Sequence, residues 1–598
     1  MRNRPIHFYR VERQNIDNMS IALINQYYNE KLKLRSLSKQ NSESVLRRAF
    51  CRLLEHYAHK KNLTVLEEMT HKSVLNTSIR FDGVLKNDMG LDFGFWEAKA
   101  NVDLEDEIRK KFNKGYPKSN ILFEDGVKAV LYQNGERVSA VVITDADSLH
   151  HLLETFVGFE TPELKSFHEA VNNFKKDVPE IVDVLRGMIA EQNINNPTFK
   201  LSRDNFLDIC RDAINPEIKV EDVNEMLIQH ILTEQIFISV FNDDQFIKEN
   251  NIARELYKVE ETFFTGNVKR TALDKIKNYY EVIAASAKTL NAHTEKQFFL
   301  KKVYENFYKA YNPKGADKLG IVYTPTEIVE FQIQGVEYLL EKHFGKTLSD
   351  KGVDILDPAT GTGTYICDLI EHISPHALPY KYKNEIHANE IAILPYYIAN
   401  LNIEYTYRNK MGNYEEFPNI CFVDTLDNIG GLSWKGKQFD MFGFSAENAQ
   451  RIKKQNERKI SVIIGNPPYN AKQANFNDDN KNKGYKDIDK RIKDTFIKRG
   501  SAQNQIVLYD MYVRFYRWAF DRLSNEGIVS FITNRSFIDG QAFDGFRKCL
   551  ADEFDYIYIV DTNSDVRKNP KIAGTTHNVF GIQTGVAVMF LVKCKEKN

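Results

Sequence analysis

The sequence contains four consecutive residues with the chemistry of a base-binding site: Asn466, Pro467, Pro468 and Tyr469. They follow the apolar stretch Ile460–Ile464, which predicts a buried strand that ends at a glycine and two prolines. In open α/β sheets, loops at the carboxyl ends of strands bind ligands. An amide oxygen, free backbone carbonyls and an aromatic face suit a planar base with an exocyclic amine. A plain Pro-Pro turn after a core strand is the alternative.

A second group of residues near the start of the chain could bind a hard cation. The sequence predicts two strands joined by a polar turn, with Asp82 in the first strand. Glu97 and Lys99 occupy alternate positions on the second strand, so the hairpin would bring all three side chains together. Carboxylate oxygens of the two acids could hold Mg²⁺, and Lys99 could position or deprotonate a metal-bound water. A surface hairpin with a ladder of charges is the alternative.

A glycine-rich loop in the second half of the chain joins a predicted strand to a predicted helix. Its residues of interest are Asp357, Ala359, Gly361 and Gly363. The glycines allow close backbone approach to a ligand, and Asp357 can pair with an ammonium group. Glu390 and Asp424 each end a later strand, where a carboxylate can accept ribose hydroxyls or an adenine amine. A single acid after a strand is often only a helix cap.

The elements around these residues predict a multidomain α/β protein with three parts. Residues 1–147 combine a helix, the hairpin and further strands. Residues 148–316 show long helical patterns with few glycines and form an all-helical connector. Residues 317–598 alternate strands and helices into a seven-stranded sheet. Within that part, the polar insert 470–500 is either a solvated loop or a segment that contacts phosphates.

Composition limits the class of protein. The 598 residues carry 81 Lys and Arg against 82 Asp and Glu, so a uniformly basic nucleic-acid coat is excluded. The six cysteines form no CxxC pair, which argues against structural zinc or a disulfide framework. The start of the chain is polar and the apolar run Val586–Val592 is too short to span a bilayer. These features predict a cytoplasmic protein without membrane contact.

The tetrapeptide and its strand resemble motif IV of the amino-group DNA methyltransferases, most closely those that methylate adenine N6. The DPATGTG loop resembles motif I of the class I methyltransferases, which use S-adenosylmethionine, and the stretch before it resembles motif X. The motif order is that of the gamma class. The resemblance implies a Rossmann-like fold, a flipped base in double-stranded DNA, and catalysis by Asn466–Tyr469. The implied cofactor-binding residues are Tyr323, Thr324, Pro325, Asp357, Ala359, Gly361, Gly363, Glu390 and Asp424.

The second group of residues resembles the PD-(D/E)xK nuclease motif, with Asp82, Glu97 and Lys99 in its acidic, acidic and lysine positions. Glu43, at the start of a predicted helix, matches the acid that such nucleases often contribute from the preceding helix. Phe81 stands where the motif usually has proline. The resemblance implies a restriction-endonuclease-like α/β domain that binds Mg²⁺ through Asp82, Glu97 and Glu43.

The pieces GYP at residues 115–117 and NILFED at residues 120–125 resemble the nuclease domains of Type ISP restriction enzymes. The segments EMLIQHILTEQIFISVF at residues 225–241 and VYENFYKAYNP at residues 303–313 resemble the coupler of the same family. The resemblance implies a Type ISP or Type IIG-like restriction-modification enzyme that methylates adenine and cleaves DNA. No GxxxxGK[ST] motif of a DNA translocase occurs in the sequence, and no target-recognition domain is expected after the sheet. A separate specificity polypeptide would then select the site. The alternatives are a methyltransferase with an inactive nuclease, a truncated or partner-dependent DNA-binding subunit, and a methyltransferase of RNA or protein.

Overall fold

The computed structural model describes most of the chain. The described residues are 20–33, 43–72, 77–99, 103–213, 218–241, 251–263, 273, 276–290, 293–311, 324–428, 444–468, 485–564 and 585–594. The chain divides into two compact units. Unit 1 comprises Met1–Phe174 and Asn278–Tyr304, and unit 2 comprises Lys175–Lys277 and Glu305–Asn598.

Unit 1 contains a six-stranded mixed sheet and a two-stranded ribbon. Its strands are β1 (Thr64–Glu67), β2 (Thr70–Lys72), β3 (Ser78–Arg80), β4 (Gly83–Lys86), β5 (Asp92–Ala98), β6 (Asn120–Glu124), β7 (Lys128–Gln133) and β8 (Glu136–Val142). The order in the sheet is β1-β4-β5-β6-β7-β8, and β2 pairs with β3 in the ribbon. Only the β5–β6 pair is parallel; the other pairs are antiparallel.

The hairpin β4–β5 is the element that positions the second group of predicted site residues. Its turn is closed by Asn87, whose side chain accepts hydrogen bonds from the backbone N–H groups of Met89 and Leu91. Asp82 lies in the bend between β3 and β4, not within a strand as the sequence suggested. Phe81, which stands before this acid, is buried in the apolar core of the sheet. An aromatic residue therefore anchors the bend from which Asp82 projects.

The α-helices of the described residues are numbered in chain order. They are α1 (Glu43–His59), α2 (Leu104–Asn113), α3 (Ala146–Val157), α4 (Pro162–Asn195), α5 (Pro197–Ala213), α6 (Val220–Phe241), α7 (Asn251–Phe263), α8 (Lys277–Thr289), α9 (His293–Tyr311), α10 (Thr326–Phe344), α11 (Thr364–His372), α12 (Leu378–Asn384), α13 (Ile393–Met411), α14 (Phe444–Asn456), α15 (Lys486–Ile492), α16 (Met511–Arg522) and α17 (Asp544–Glu553). Residues 20–33 are also helical.

Unit 2 contains a sheet of seven strands. They are β9 (Asp354–Asp357), β10 (Ile386–Glu390), β11 (Ile420–Phe422), β12 (Ile460–Gly465), β13 (Leu523–Asn534), β14 (Tyr556–Asp561) and β15 (Val586–Lys593). Their order is β11-β10-β9-β12-β13-β15-β14. β15 is antiparallel to both of its neighbours, and the pairs from β11 to β13 are parallel. The carboxyl ends of β9 to β12 therefore meet at one edge of the sheet.

The central strand β12 is buried on both faces, as expected for a continuous apolar run in a parallel sheet. Its last residue, Gly465, lies so close to β9 that an added Cβ would meet Asp357 Oδ1 at 2.8 Å. On the other side of the strand, buried Gln332 of α10 donates to Ser530 Oγ of β13 at 3.0 Å and accepts from the Tyr365 hydroxyl at 2.6 Å. These contacts attach α10 and α11 to the sheet.

The segment 485–497 differs from the prediction of a solvated loop. It forms α15 followed by a π-helical turn, Lys493–Ile497, and its Ile488, Ile492 and Phe496 are buried in the core beside the sheet. These residues are four positions apart, so they lie on one face of a helix. Residues 470–484 of the same insert lie outside the described residues.

The structure confirms a mixed α/β protein with a helical middle region. Across the described ranges, no helix combines the length and apolar composition needed to cross a lipid bilayer.

Candidate functional site

Asn466 directly follows β12, and the nitrogen of its side-chain amide is held by a hydrogen bond. Its Nδ2 donates to the Thr324 hydroxyl at 2.9 Å, while its Oδ1 is buried and has no hydrogen-bond partner among the described residues. A buried amide oxygen without a donor is costly unless a ligand supplies one. Thr324 was predicted to line a cofactor site, so its bond to Asn466 is a contact that sequence reasoning missed. The anchored amide leaves one acceptor for a ligand amine.

Asp357 ends β9, the strand beside β12. Its Oδ1 accepts from the backbone N–H of Ala359 at 3.1 Å, and its Oδ2 is buried without a hydrogen-bond partner among the described residues. Burial raises the pKa of this carboxyl to about 8, and the nearby Glu390 carboxylate adds to the increase. A cationic group of a ligand would supply the missing partner and favour the ionised form.

Glu390 ends β10 and organises the glycine-rich loop. Its Oε2 accepts from Gly361 N–H at 2.8 Å, and its Oε1 accepts from the N–H groups of Ile391 and Ala392 at 2.9 and 2.7 Å. Burial raises the pKa of Glu390 to about 7, against these backbone hydrogen bonds. The predicted bonds to ribose hydroxyls would therefore add to three backbone bonds. Gly363, the residue before α11, has a φ of 88°, a backbone conformation that favours glycine.

Asp424 lies two residues after β11 and is 4% exposed. Its Oδ1 accepts from the backbone N–H of Leu426 at 3.1 Å, and its Oδ2 accepts from the Tyr485 hydroxyl at 3.2 Å. The next residue, Thr425, donates to the backbone carbonyl of Pro358 at 2.6 Å, which ties this loop to the loop after β9. Tyr485 is a second contact that sequence reasoning missed, because it lies in the insert for which the sequence predicts either a solvated loop or a segment that contacts phosphates.

The structure describes only part of the predicted motif around α10 and β12. Pro325 is the residue before α10, and it makes no side-chain capping hydrogen bond. Pro467 is buried and Pro468 is half-buried after Asn466. Tyr323 and Tyr469 lie outside the described residues, so their predicted contacts with cofactor and base stay predictions.

The hairpin of unit 1 brings the second group of predicted residues together. Lys99 Nζ lies 3.6 Å from Asp82 Oδ2 and 3.8 Å from Glu97 Oε2. Asp82 is oriented by the backbone N–H of Ala98 at 3.0 Å and by Arg47 Nη1 at 3.0 Å. Lys99 therefore lies within 4 Å of a carboxylate oxygen of each acid.

Glu97 is 1% exposed and has a second lysine beside it. Lys111 of α2 donates to Glu97 Oε2 at 2.5 Å and to the Tyr116 hydroxyl at 2.9 Å. Burial raises the pKa of Glu97 to about 7 in spite of the nearby lysines. Its Oε1 is buried and has no hydrogen-bond partner among the described residues. Sequence reasoning missed Lys111 because it lies outside the motif.

Mg²⁺ would fit this site through carboxylate oxygens, because the unpartnered Glu97 Oε1 and the oxygens of Asp82 are ligands that a hard cation prefers. The third predicted ligand, Glu43, is the first residue of α1, but its side chain is outside the described set. Among side chains that are described, no group of three or more His, Cys, Asp or Glu residues could hold a metal ion. The magnesium site therefore stays a prediction.

Two family models match the chain. Residues 170–295 match the coupler domain of the Type ISP restriction-modification enzymes, and residues 380–566 match the Eco57I restriction-modification methylase. The second match includes Glu390, Asp424 and Asn466. A search of curated proteins found no match.

Three solved structures resemble the chain over most of its length. A DrdV–DNA complex is 48% identical over 96% of this chain and 56% of its own, with a TM-score of 0.71. The ATP-dependent Type ISP restriction-modification enzyme LlaBIII bound to DNA is 29% identical over 82% of this chain and 32% of its own, with a TM-score of 0.65. A nuclease-deletion mutant of the Type ISP enzyme LlaGI, in complex with a DNA substrate mimic, is 26% identical over 84% and 45%, with a TM-score of 0.62.

The chain thus spans about half of the DrdV chain and less of the other two. The coupler match lies within residues 148–316, and the methylase match lies within residues 317–598. The predicted relationship is confirmed: this chain is related to the Type ISP and Eco57I-like restriction-modification enzymes.

Proposed function

We propose that this chain transfers a methyl group from S-adenosylmethionine to adenine N6 in double-stranded DNA. The observation that carries the proposal is the buried, unpartnered Oδ1 of Asn466, one strand away from the buried, unpartnered Oδ2 of Asp357. One oxygen suits the amine of a flipped base, and the other suits the ammonium group of the cofactor. The match to a restriction-modification methylase supports methyl transfer, and the order of the sequence motifs favours adenine.

The residues around β12 would act by position and hydrogen bonding. S-adenosylmethionine supplies the electrophilic methyl group. Asn466 Oδ1 and the carbonyl of Pro467 would accept the two hydrogens of the adenine amine, so that the nitrogen lone pair faces the methyl group. Thr324 keeps the amide from rotating. The nitrogen loses its proton as the bond forms or afterwards, so no strong base is needed, and orientation and electrostatics supply most of the rate.

The remaining predicted residues would hold the ends of the cofactor. Asp357 would receive the ammonium group, and Asp424 would receive the adenine amine. Glu390 would add a ribose contact to its role in shaping the loop. Tyr323, Thr324 and Pro325 would line the methionine end. Tyr469 would stack on the flipped base, as the sequence motif implies.

We also propose that unit 1 cleaves DNA with Mg²⁺. The supporting observation is the approach of Lys99 to both acids, together with the unpartnered Oε1 of buried Glu97. Asp82, Glu97 and Glu43 would hold the ion, which lowers the pKa of a bound water. Lys99 would orient that water, and Lys111 would hold the Glu97 carboxylate in place.

In this proposal, the predicted three parts keep their boundaries. Residues 1–147 are the nuclease, residues 148–316 the coupler and residues 317–598 the methyltransferase. DrdV, LlaBIII and LlaGI were each solved with DNA or a DNA mimic, which supports DNA as the partner of this chain. Target recognition would come from a separate polypeptide or from further sequence of a longer protein.

Labelled methyl transfer by the purified chain tests the proposal directly. We expect DNA to accept label from S-adenosylmethionine, with N6-methyladenine as the product, and RNA and protein to accept none. Methylome sequencing of a host that expresses the chain, with and without its downstream reading frame, would identify the modified site. If no modified site appears in either host, the proposal of an active methyltransferase is wrong. Label on RNA or protein alone would favour the alternative substrates.

The raised pKa of Asp357 predicts a pH dependence of cofactor binding. The ammonium group binds the ionised carboxylate, and the pKa of the unliganded carboxyl is about 8. Affinity for S-adenosylhomocysteine should therefore rise with pH, by at most about tenfold per unit, until it levels off above the pKa of Asp357. Calorimetric titration at several pH values measures this slope. An Asp357→Asn variant should bind more weakly and lose the slope; an unchanged slope in this variant would assign the proton to another group.

A further inference from the structure

We infer that Tyr485 is a positioning residue for the cofactor, because its hydroxyl fixes the orientation of the Asp424 carboxylate that would receive the adenine 6-amino group. The inference rests on the proposed binding of S-adenosylmethionine. It adds to the cofactor site a residue from the segment that follows the Asn466 loop, which none of the sequence motifs includes.

Both oxygens of Asp424 have a donor fixed by the chain. Oδ1 accepts from the backbone N–H of Leu426 at 3.1 Å, and Oδ2 accepts from the Tyr485 hydroxyl at 3.2 Å. The first bond alone would leave the carboxylate free to rotate about its χ2 angle, which has a broad energy minimum. The second bond fixes the plane of the carboxylate. This plane sets the direction from which a ligand amine would approach Asp424.

Tyr485 is itself held on two sides. Its backbone N–H donates to Asp489 Oδ2 at 3.1 Å. Arg514 of α16 donates to the two oxygens of the same carboxylate from Nε at 2.7 Å and from Nη2 at 3.0 Å. The Arg514 guanidinium lies 5.2 Å from the centroid of the Tyr485 ring. The ring is 4% exposed and belongs to the core cluster of unit 2. A bidentate ion pair and a buried ring leave the hydroxyl little freedom to move.

Packing alone does not require the hydroxyl of Tyr485, since phenylalanine would fill the same space. Tyr512, in the same core cluster, shows the contrast. It is fully buried, and its hydroxyl has no hydrogen-bond partner in the described part of the chain. The two tyrosines share their packing environment and differ in whether the hydroxyl meets a predicted cofactor residue. Tyr512→Phe is therefore a matched control for Tyr485→Phe.

Calorimetric binding of two ligands tests the inference: S-adenosylhomocysteine, and its analogue with a purine that lacks the 6-amino group. We expect the unaltered chain to prefer S-adenosylhomocysteine. Tyr485→Phe should weaken binding of S-adenosylhomocysteine by about three- to tenfold, the worth of one ordinary hydrogen bond, and leave the analogue unaffected. Tyr512→Phe should bind both ligands as the unaltered chain does. The loss of preference, with equal thermal stability of the two variants, would support the inference.

Four results would overturn it. Equal weakening for both ligands in Tyr485→Phe would assign Tyr485 a purely structural role, and unchanged binding of both would assign it none. An unaltered chain that binds both ligands equally would remove Asp424 from the adenine amine, while the methyltransferase proposal would stand. An unaltered chain that binds neither ligand would defeat that proposal as well. If Tyr485→Phe does not fold, Asp489→Asn replaces it, and the same selective loss is expected because Asp489 holds the Tyr485 backbone.

Discussion

An Asn466→Ala variant should transfer methyl groups to DNA about 10²- to 10³-fold more slowly than the unaltered chain, with similar affinity for S-adenosylhomocysteine. The magnitude is that of removing one preorganised hydrogen-bonding group from a transition state. The physical reason is the buried Oδ1, which has no partner among the described residues until an amine arrives. Single-turnover transfer of labelled methyl groups measures the rate, and calorimetry measures the affinity.

The control for this variant is Asn384→Ala at the end of α12. The Asn384 amide is exposed and donates to the backbone carbonyl of Tyr380 at 2.9 Å, outside the predicted site. The control removes the same atoms and should keep the full rate of methyl transfer. If Asn466→Ala keeps the full rate too, Asn466 does not receive the amine, and the catalytic assignment of the whole loop is wrong. A loss of cofactor affinity equal to the loss of rate would instead place Asn466 against the cofactor.

The strand before Asn466 could be predicted because nearly every one of its residues is apolar. A strand buried on both faces needs apolar side chains at successive positions, and Ile460–Ile464 meets this requirement almost throughout. The end of the strand could be predicted because a proline has no N–H group to donate. The insert was harder to assess. Its many lysines suggested a solvated loop, and the spacing of Ile488, Ile492 and Phe496, which buries one helix face, was the signal that was overlooked.

The contacts that complete each site join residues that are distant in sequence, so no local sequence pattern predicts these contacts. Thr324 and Asn466 are 142 positions apart, and Asp424 and Tyr485 are 61 apart. Lys111 reaches Glu97 because α2 packs against the hairpin sheet, a fact of tertiary structure. A sequence motif predicts the residues that must be present for the chemistry. It does not predict which neighbours orient them, because different neighbours can make the same hydrogen bond.

A Lys99→Ala variant should lose Mg²⁺-dependent DNA cleavage by about 10²- to 10⁴-fold, the usual contribution of a positioned acid or base, and keep its methyl transfer. Lys99 lies within 4 Å of both acids. Lys111 pairs with Glu97, so among the described residues no other lysine is paired with both Asp82 and Glu97. Gel assays of DNA cleavage at several Mg²⁺ concentrations measure the loss. The matched control is Lys110→Ala, since Lys110 is exposed and pairs with Asp106 at 2.9 Å.

A second pair of measurements separates the role of Lys99 from that of the metal ligands. Mn²⁺ binding, followed by electron paramagnetic resonance, should persist in Lys99→Ala because lysine is not a ligand, and should weaken in Glu97→Gln because an amide is a poorer ligand than a carboxylate. Both variants should cleave poorly, for different reasons. An unaltered chain that neither binds Mn²⁺ nor cleaves DNA, yet methylates it, would establish the inactive-nuclease alternative. Full cleavage by Lys99→Ala would instead place the nuclease chemistry elsewhere in the chain, because no other residue of the motif can orient the attacking water.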